Sequence, residues 1–186
     1  AIRETLFRLE QDGLVERRPR AGTFVREIED EELLEIYDLR MVVEGLICRV
    51  AAEKITDEQL DELSDLAELT DSVEEENEER DATDYDFHRR LCEISQLNYA
   101  KRVLRITYLH SQCARMNQRI IYWRGFRAQR VHLPDHCAVV EVLRRRDPDA
   151  AETIMREHLR SAKSAVIKDM ERIRDRMSTI HKRLSE

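Results

Sequence analysis

Apolar residues recur every three to four positions through most of the chain, and that period predicts helices. Residues 1–12 read as a helix with Ile2, Leu6 and Leu9 along one face, stopped by Gly13 in a left-handed position. The period then shortens. Leu14–Arg18 reads as a short strand, Pro19–Gly22 as a turn, and Thr23-Phe24-Val25 as the returning strand. After residue 28 the helical period resumes. Asp30 is the expected N-cap of a helix to about Lys54. Its apolar residues Leu33, Leu34, Ile36, Tyr37, Met41, Val42 and Val43 run nearly all round, so it should be buried on more than one side.

The remaining helices announce themselves by their ends. Thr56 and Gln59 form a capping box ahead of the stripe Leu60, Leu63, Leu66, Ala67, Leu69. A further helix is expected from about Thr83 to Ser95, a break at Leu97-Asn98, and another helix from Tyr99 to about Trp123. Arg124–Arg130 reads as a connection or loosened helix, and Pro134-Asp135 as a new start. Asp147-Pro148 restarts the chain with Asp at the N-cap and Pro in the first turn. The last helix carries Ile154, Met155, Leu159, Ala162, Val166, Met170 and Ile173 to the end. The expected fold class is predominantly all-α: an antiparallel bundle of about six or seven helices behind a small helix–hairpin unit. The expected domains are residues 1–28 and 29–186.

Composition narrows the class. Among 186 residues there are only 4 Gly and 3 Pro, too few turn formers for an all-β fold. Every apolar stretch is interrupted by charge, so no membrane span or secretory signal is expected. Cys48, Cys92, Cys113 and Cys137 are far apart and sit within helical patterns, which suits free thiols in a cytoplasmic protein. Net charge is −7, but it is unevenly spread. Residues 1–26 hold 6 Arg against 4 acids, and Arg17, Arg18, Arg20 and Arg26 follow one another without an acid between them. Such a local cluster can attract a phosphate backbone whatever the whole-chain charge, although a solvated basic loop fits as well.

One constellation carries chemistry. Asp84 and His88 are four residues apart and share a helix face. His136 and His158 each lie 11 residues from Asp147. At about 1.5 Å rise per residue both fall roughly 16 Å back along adjacent antiparallel helices, level with each other. Three imidazoles and a carboxylate converging in a bundle suit a divalent transition metal: zinc first, then nickel, manganese or iron. The plain alternative is a set of isolated rings. His110 and His132 have no partner at metal spacing, and His181 lies near the tail. Arg40 is the first candidate to grip an acidic ligand, followed by Arg115 and Arg119 on a shared face, with Tyr108 and Asn98 to orient it. A metalloenzyme would need a general acid or base beside the metal; Glu44 and Asp86 qualify only by nearness in sequence, and Asp86 falls on the opposite helix side. A purely structural metal also fits the ligand set.

The residues Ile2–Arg18 followed by Ala21-Gly22-Thr23-Phe24-Val25 closely resemble the GntR family of bacterial transcription regulators. The resemblance implies a winged helix-turn-helix that binds operator DNA as a homodimer. In that reading Arg3 is the DNA-contacting arginine of the recognition helix, Gly22 the wing-tip glycine, and Arg17, Arg18 and Arg20 further DNA-facing residues. The family's first two helices are not in this sequence, so a complete reading head is not expected from it as given. Asp84-Tyr85-Asp86-Phe87-His88, Asn98, His136, Arg146–Ala151 and His158-Leu159, with Asp38–Gly45 opening the domain, resemble the FCD effector-binding domain of the FadR-type branch. That resemblance implies metal ligands at Asp84, His88, His136 and His158, an effector-receiving arginine at Arg40, and a small organic acid as effector. The expectation is a regulator, not an enzyme.

Overall fold

The structure, a computed structural model, describes residues 1–72, 78–123 and 136–184; side chains at 78–80, 115–123, 176–177 and 180–184 lie outside the described set. Among the described residues seven helices and one hairpin follow in order: α1 (Ile2–Gln11), β1 (Val15–Arg18), β2 (Gly22–Val25), α2 (Asp30–Lys54), α3 (Asp57–Ser72), α4 (Glu78–Ser95), α5 (Asn98–Trp123), α6 (His136–Leu143) and α7 (Pro148–Leu184). The expected Arg124–Arg130 connection, the start at Pro134-Asp135 and His132 lie outside the described residues, as does the side chain of His181.

The N-terminal unit forms as its turn residues dictate. Gly13 takes φ +72, and the two strands pair antiparallel with Val15 opposite Val25 and Arg18 opposite Gly22. Arg20 (φ 62) and Gly22 (φ 120) carry the tight turn. The apolar face read along α1 is not covered: the helix buries no residue, Ile2 is 78% exposed, and Leu6 and Leu9 are only half-buried. Ile28, placed by sequence with this unit, packs instead into the helical body beside Leu33, Ile36, Tyr37, Ala114 and Met170.

The body is a helical bundle with α2 at its centre, in contact with α4, α5, α6 and α7. Asp30 is the first residue of α2; Glu29 precedes it as N-cap, without a capping side chain. The apolar surround of α2 is incomplete, because Leu39, Val42 and Leu46 form an exposed stripe. Ile47, Cys48, Ala51 and Ala52 pack into a core with Leu60, Leu63, Phe87, Leu91, Val139, Leu143, Met155 and Leu159. Each such large side chain contributes roughly 1.5–3 kcal/mol by leaving water. The capping box forms as read, with Thr56 N–H donating to Gln59 Oε1 at 3.1 Å and Gln59 N–H to Thr56 Oγ1 at 3.3 Å.

Two features bring α7 to its place. Asp147 Oδ1 accepts from the N–H groups of Asp149 and Ala150 (3.0 and 3.1 Å), starting α7 at Pro148. Arg146, at φ 51 in the turn between α6 and α7, donates to the Ile55 carbonyl and pairs with Asp57, tying that hairpin to the α2–α3 connection. Further along, Gly45 makes room on α2 for side chains of α7. A Cβ there would stand 3.0 Å from Arg156 Nε and 3.3 Å from Glu152 Cγ.

Candidate metal centre

Four side chains from three helices meet inside the bundle. Asp84 and His88 come from α4, His136 from the first residue of α6, and His158 from α7; one donor atom of each lies within 4.8 Å of the others. The ring centroids of His136 and His158 are 4.5 Å apart, and those of His88 and His158 5.3 Å. The equal spacing about Asp147 therefore does set the two rings level. The three imidazoles are buried. Asp84 Oδ1 stands 3.2 Å from His136 Nε2 and 3.9 Å from His88 Nε2.

The donor set fits a transition metal. His88 Nε2, His136 Nε2 and His158 Nδ1 are shut off from solvent without a hydrogen-bond partner. Orphaned buried nitrogens are costly unless something occupies the space between them. Three nitrogens and one oxygen match zinc and its neighbours better than calcium or magnesium.

Carboxylates stand behind two of the rings, as ligating histidines usually require. His136 Nδ1 lies 2.7 Å from Asp71 Oδ1, while Asp71 Oδ2 accepts from the Cys137 N–H at 3.2 Å. Asp71 thus joins the end of α3 to the start of α6. His88 Nδ1 lies 2.5 Å from Glu44 Oε2, both atoms sealed from solvent. Glu44 Oε1 in turn accepts from Arg40 Nε at 2.6 Å. Sequence reasoning weighed Glu44 only as an acid or base and did not single out Asp71. Both partnerships join distant parts of the chain, and nothing local marks them.

Charge in the site is finely set. Burial favours neutral Glu44, but Arg40 and His88 outweigh it and hold the carboxyl at about 2. Burial likewise opposes a charge on His136, yet Asp71 and Asp84 raise that ring to about 9. His158 is driven well below its ordinary value by burial and then by the neighbouring His136 and His88. The Arg40 guanidinium is itself buried, with its carbon 5.2 Å from the Tyr108 ring centroid and 5.5 Å from that of Tyr37.

Other residues singled out by sequence are distributed as follows. Tyr108 reaches the cluster, but its hydroxyl faces Asp84 Oδ2 (2.8 Å) and the Asp81 carbonyl (2.7 Å), so it orients the aspartate. Asn98 is not brought in. It is exposed at the start of α5, beside a surface pocket of about 580 Å³ with Tyr99, Lys101, Arg102 and Arg105. Ten residues of helix, roughly 15 Å, separate it from Tyr108. The side chains of Arg115 and Arg119 lie outside the described residues. Asp86 pairs with Arg89 away from the rings. His110 Nδ1 meets its own helix at the Ile106 carbonyl, and its Nε2 would stand 3.2 Å from a Cβ at Gly13. In the N-terminal unit Arg3 and Arg20 are exposed, Arg17 pairs with Glu10, and Arg18 pairs with Glu16 and stacks over Phe24. Gly22 has open space around it.

Comparison with known proteins agrees with this architecture. Residues 35–161 match the FCD domain. HTH-type transcriptional repressor NanR of Klebsiella aerogenes is 28% identical over 181 residues, 87% of this chain and 68% of that protein. The repressor of the same name from Escherichia coli K12 is likewise 28% identical, with 67% of it covered. Among solved structures, E. coli McbR/YncC superposes with a TM-score of 0.74 at 17% identity, covering 89% of this chain and 83% of that one. A GntR-family regulator from Pseudomonas syringae does so at 0.62 and 17%, covering 91% and 70%. The class is thus a transcription regulator with a helical effector-binding domain, and the two curated relatives above are named transcriptional repressors. The chain belongs to the FCD-domain family. No helix among the described residues is long and apolar enough to cross a membrane.

Proposed function

We propose that this chain is a ligand-responsive regulator whose bundle, residues 29–186, holds a divalent transition metal and senses a small organic acid. Asp84, His88, His136 and His158 would hold the metal, zinc first, with nickel, manganese or iron as alternatives. A metal there supplies a Lewis-acidic centre with coordination positions left for an acid oxygen. Arg40 would offer the acid a second, charged grip, and Tyr108 keeps Asp84 oriented. Residues 1–28 belong to a winged reading head, with Arg3, Arg17, Arg18, Arg20 and Gly22 facing operator DNA and a homodimer presenting two heads in the cytoplasm.

The observation that carries this reading is the sealed set of three unpartnered imidazole nitrogens beside one carboxylate. Native mass and elemental analysis of protein purified without added metal should find about one transition-metal ion per chain, lost in His136→Ala and His158→Ala. Unchanged metal in both variants would remove the site. Acid-dependent release of operator by a chain with its complete head supports the sensor; metal retained with no response to any acid leaves a structural ion. Arg40→Ala should weaken acid binding in calorimetry at saturating metal.

A further inference from the structure

Glu44 lies in the middle of a buried chain of contacts. Its Oε1 accepts from Arg40 Nε at 2.6 Å, and its Oε2 lies 2.5 Å from His88 Nδ1. Arg40, Glu44 and His88 are each only 2% exposed, so water cannot substitute for any of these contacts. Glu44 touches both Arg40 and a clustered histidine, while Arg40 also lies over the Tyr108 ring, whose hydroxyl meets Asp84.

The donor rules on this chain are strict. A guanidinium Nε only donates, so the atom facing it must accept. A carboxylate accepts at both ends, so the imidazole nitrogen facing its other oxygen must carry the ring proton. That places a His88 ring proton on Nδ1 and leaves Nε2 as the nitrogen that can offer a lone pair to the cluster. Which nitrogen of a ring can bind a metal is set by the partner of the other.

We infer that Glu44 is a positioning residue that fixes the His88 tautomer and thereby joins the acid-gripping Arg40 to the metal ligands. The inference rests on the metal and effector reading above. An acid that repositions Arg40 acts on a carboxylate that also governs a metal ligand, so the two bound species are felt by one another through Glu44.

Glu44→Gln exposes the logic. The amide has one accepting end, and Arg40 Nε demands it. The amide NH₂ then faces His88 Nδ1, which must accept, and the ring proton moves to Nε2, where it points at the cluster. Removing Arg40 as well frees the amide to turn its oxygen to His88 and restore the original tautomer. The uncharged pair Arg40→Met with Glu44→Gln leaves no buried charge behind.

Zinc alone is the probe. In competition with a chromophoric chelator, Glu44→Gln should bind zinc roughly 10–100-fold more weakly than the parent chain. The double variant should recover at least about threefold of that loss, a non-additivity that mere loss of packing would not produce. Long-range ¹H–¹⁵N spectra of the metal-free proteins read the tautomer directly: Nδ1–H in the parent, Nε2–H in Glu44→Gln. An unchanged tautomer or unchanged zinc affinity in Glu44→Gln overturns the inference, as does a double variant no better than the single. Should the parent chain itself bind no zinc, it is the metal reading that fails, whereas the spectra still report on Glu44.

Discussion

Metal binding at this site should release a proton, and the ring that carries it is His136. In the metal-free chain Asp71 and Asp84 outweigh burial and raise this ring to about 9. His158 is already in its neutral, ligating form. A ring must give up the proton on its donor nitrogen before a metal can take the lone pair. At pH 7 a metal therefore competes with a proton whose pKa stands about two units higher, a factor of ~100, or about 2.7 kcal/mol at 1.36 kcal/mol per unit. Zinc affinity, measured in chelator-buffered metal, should rise about tenfold per unit between pH 7 and 8.5 and level off above about pH 9. Calorimetry at pH 7 in two buffers of different ionisation enthalpy should count about one proton released per metal. A flat affinity from pH 7 to 9, or a count of zero, refutes the reasoning.

Four other outcomes follow from the same contacts. Asp71→Asn removes the charge behind His136 and leaves one accepting oxygen for two donors, His136 Nδ1–H and the Cys137 N–H, so at pH 9, where proton competition has faded, zinc should bind roughly 10–100-fold more weakly with the fold retained by circular dichroism. The metal-free chain should lose stability as pH rises from about 6.5 through 9, because the raised His136 favours the folded state below its unfolded pKa; Glu44, held near 2, does the converse, with stability present above about 4.5 and lost as pH falls toward 2, and urea titrations across both ranges read each limb. Gly13→Ala must take a side chain at φ +72 and meet His110 Nε2 at 3.2 Å, a cost of about 1–2 kcal/mol in urea unfolding that His110→Ala relieves only in part. Leu63→Ala, in the fully buried core, should cost about 2–5 kcal/mol by the same assay.

What could be read from sequence was what local chemistry decides. Thr56 and Gln59 cap each other within one turn, Asp147 starts α7, and Gly13 ends α1, all through neighbours a few residues away. The paired histidines were legible for a related reason: a tight turn makes distance along the chain equal distance along the bundle. Glu44 and Asp71 were not legible in their roles, since each acts across helices. The start of α4 at Glu78, against an expected start near Thr83, belongs to the same class, as the polar run ahead of Thr83 carries no cap or apolar stripe. The open face of α1 and the exposed Leu39, Val42 and Leu46 show the converse error, in which an apolar stripe is real but no described element covers it.

Gly45 carries no polar side chain and stands one residue from Glu44, yet it decides what rests on α2 at this level. A Cβ here would meet Arg156 Nε at 3.0 Å and Glu152 Cγ at 3.3 Å, both of them side-chain atoms of α7. The bare backbone hydrogen is therefore a seat for the Arg156–Glu152 ion pair, and a methyl group at this point would unseat that pair first.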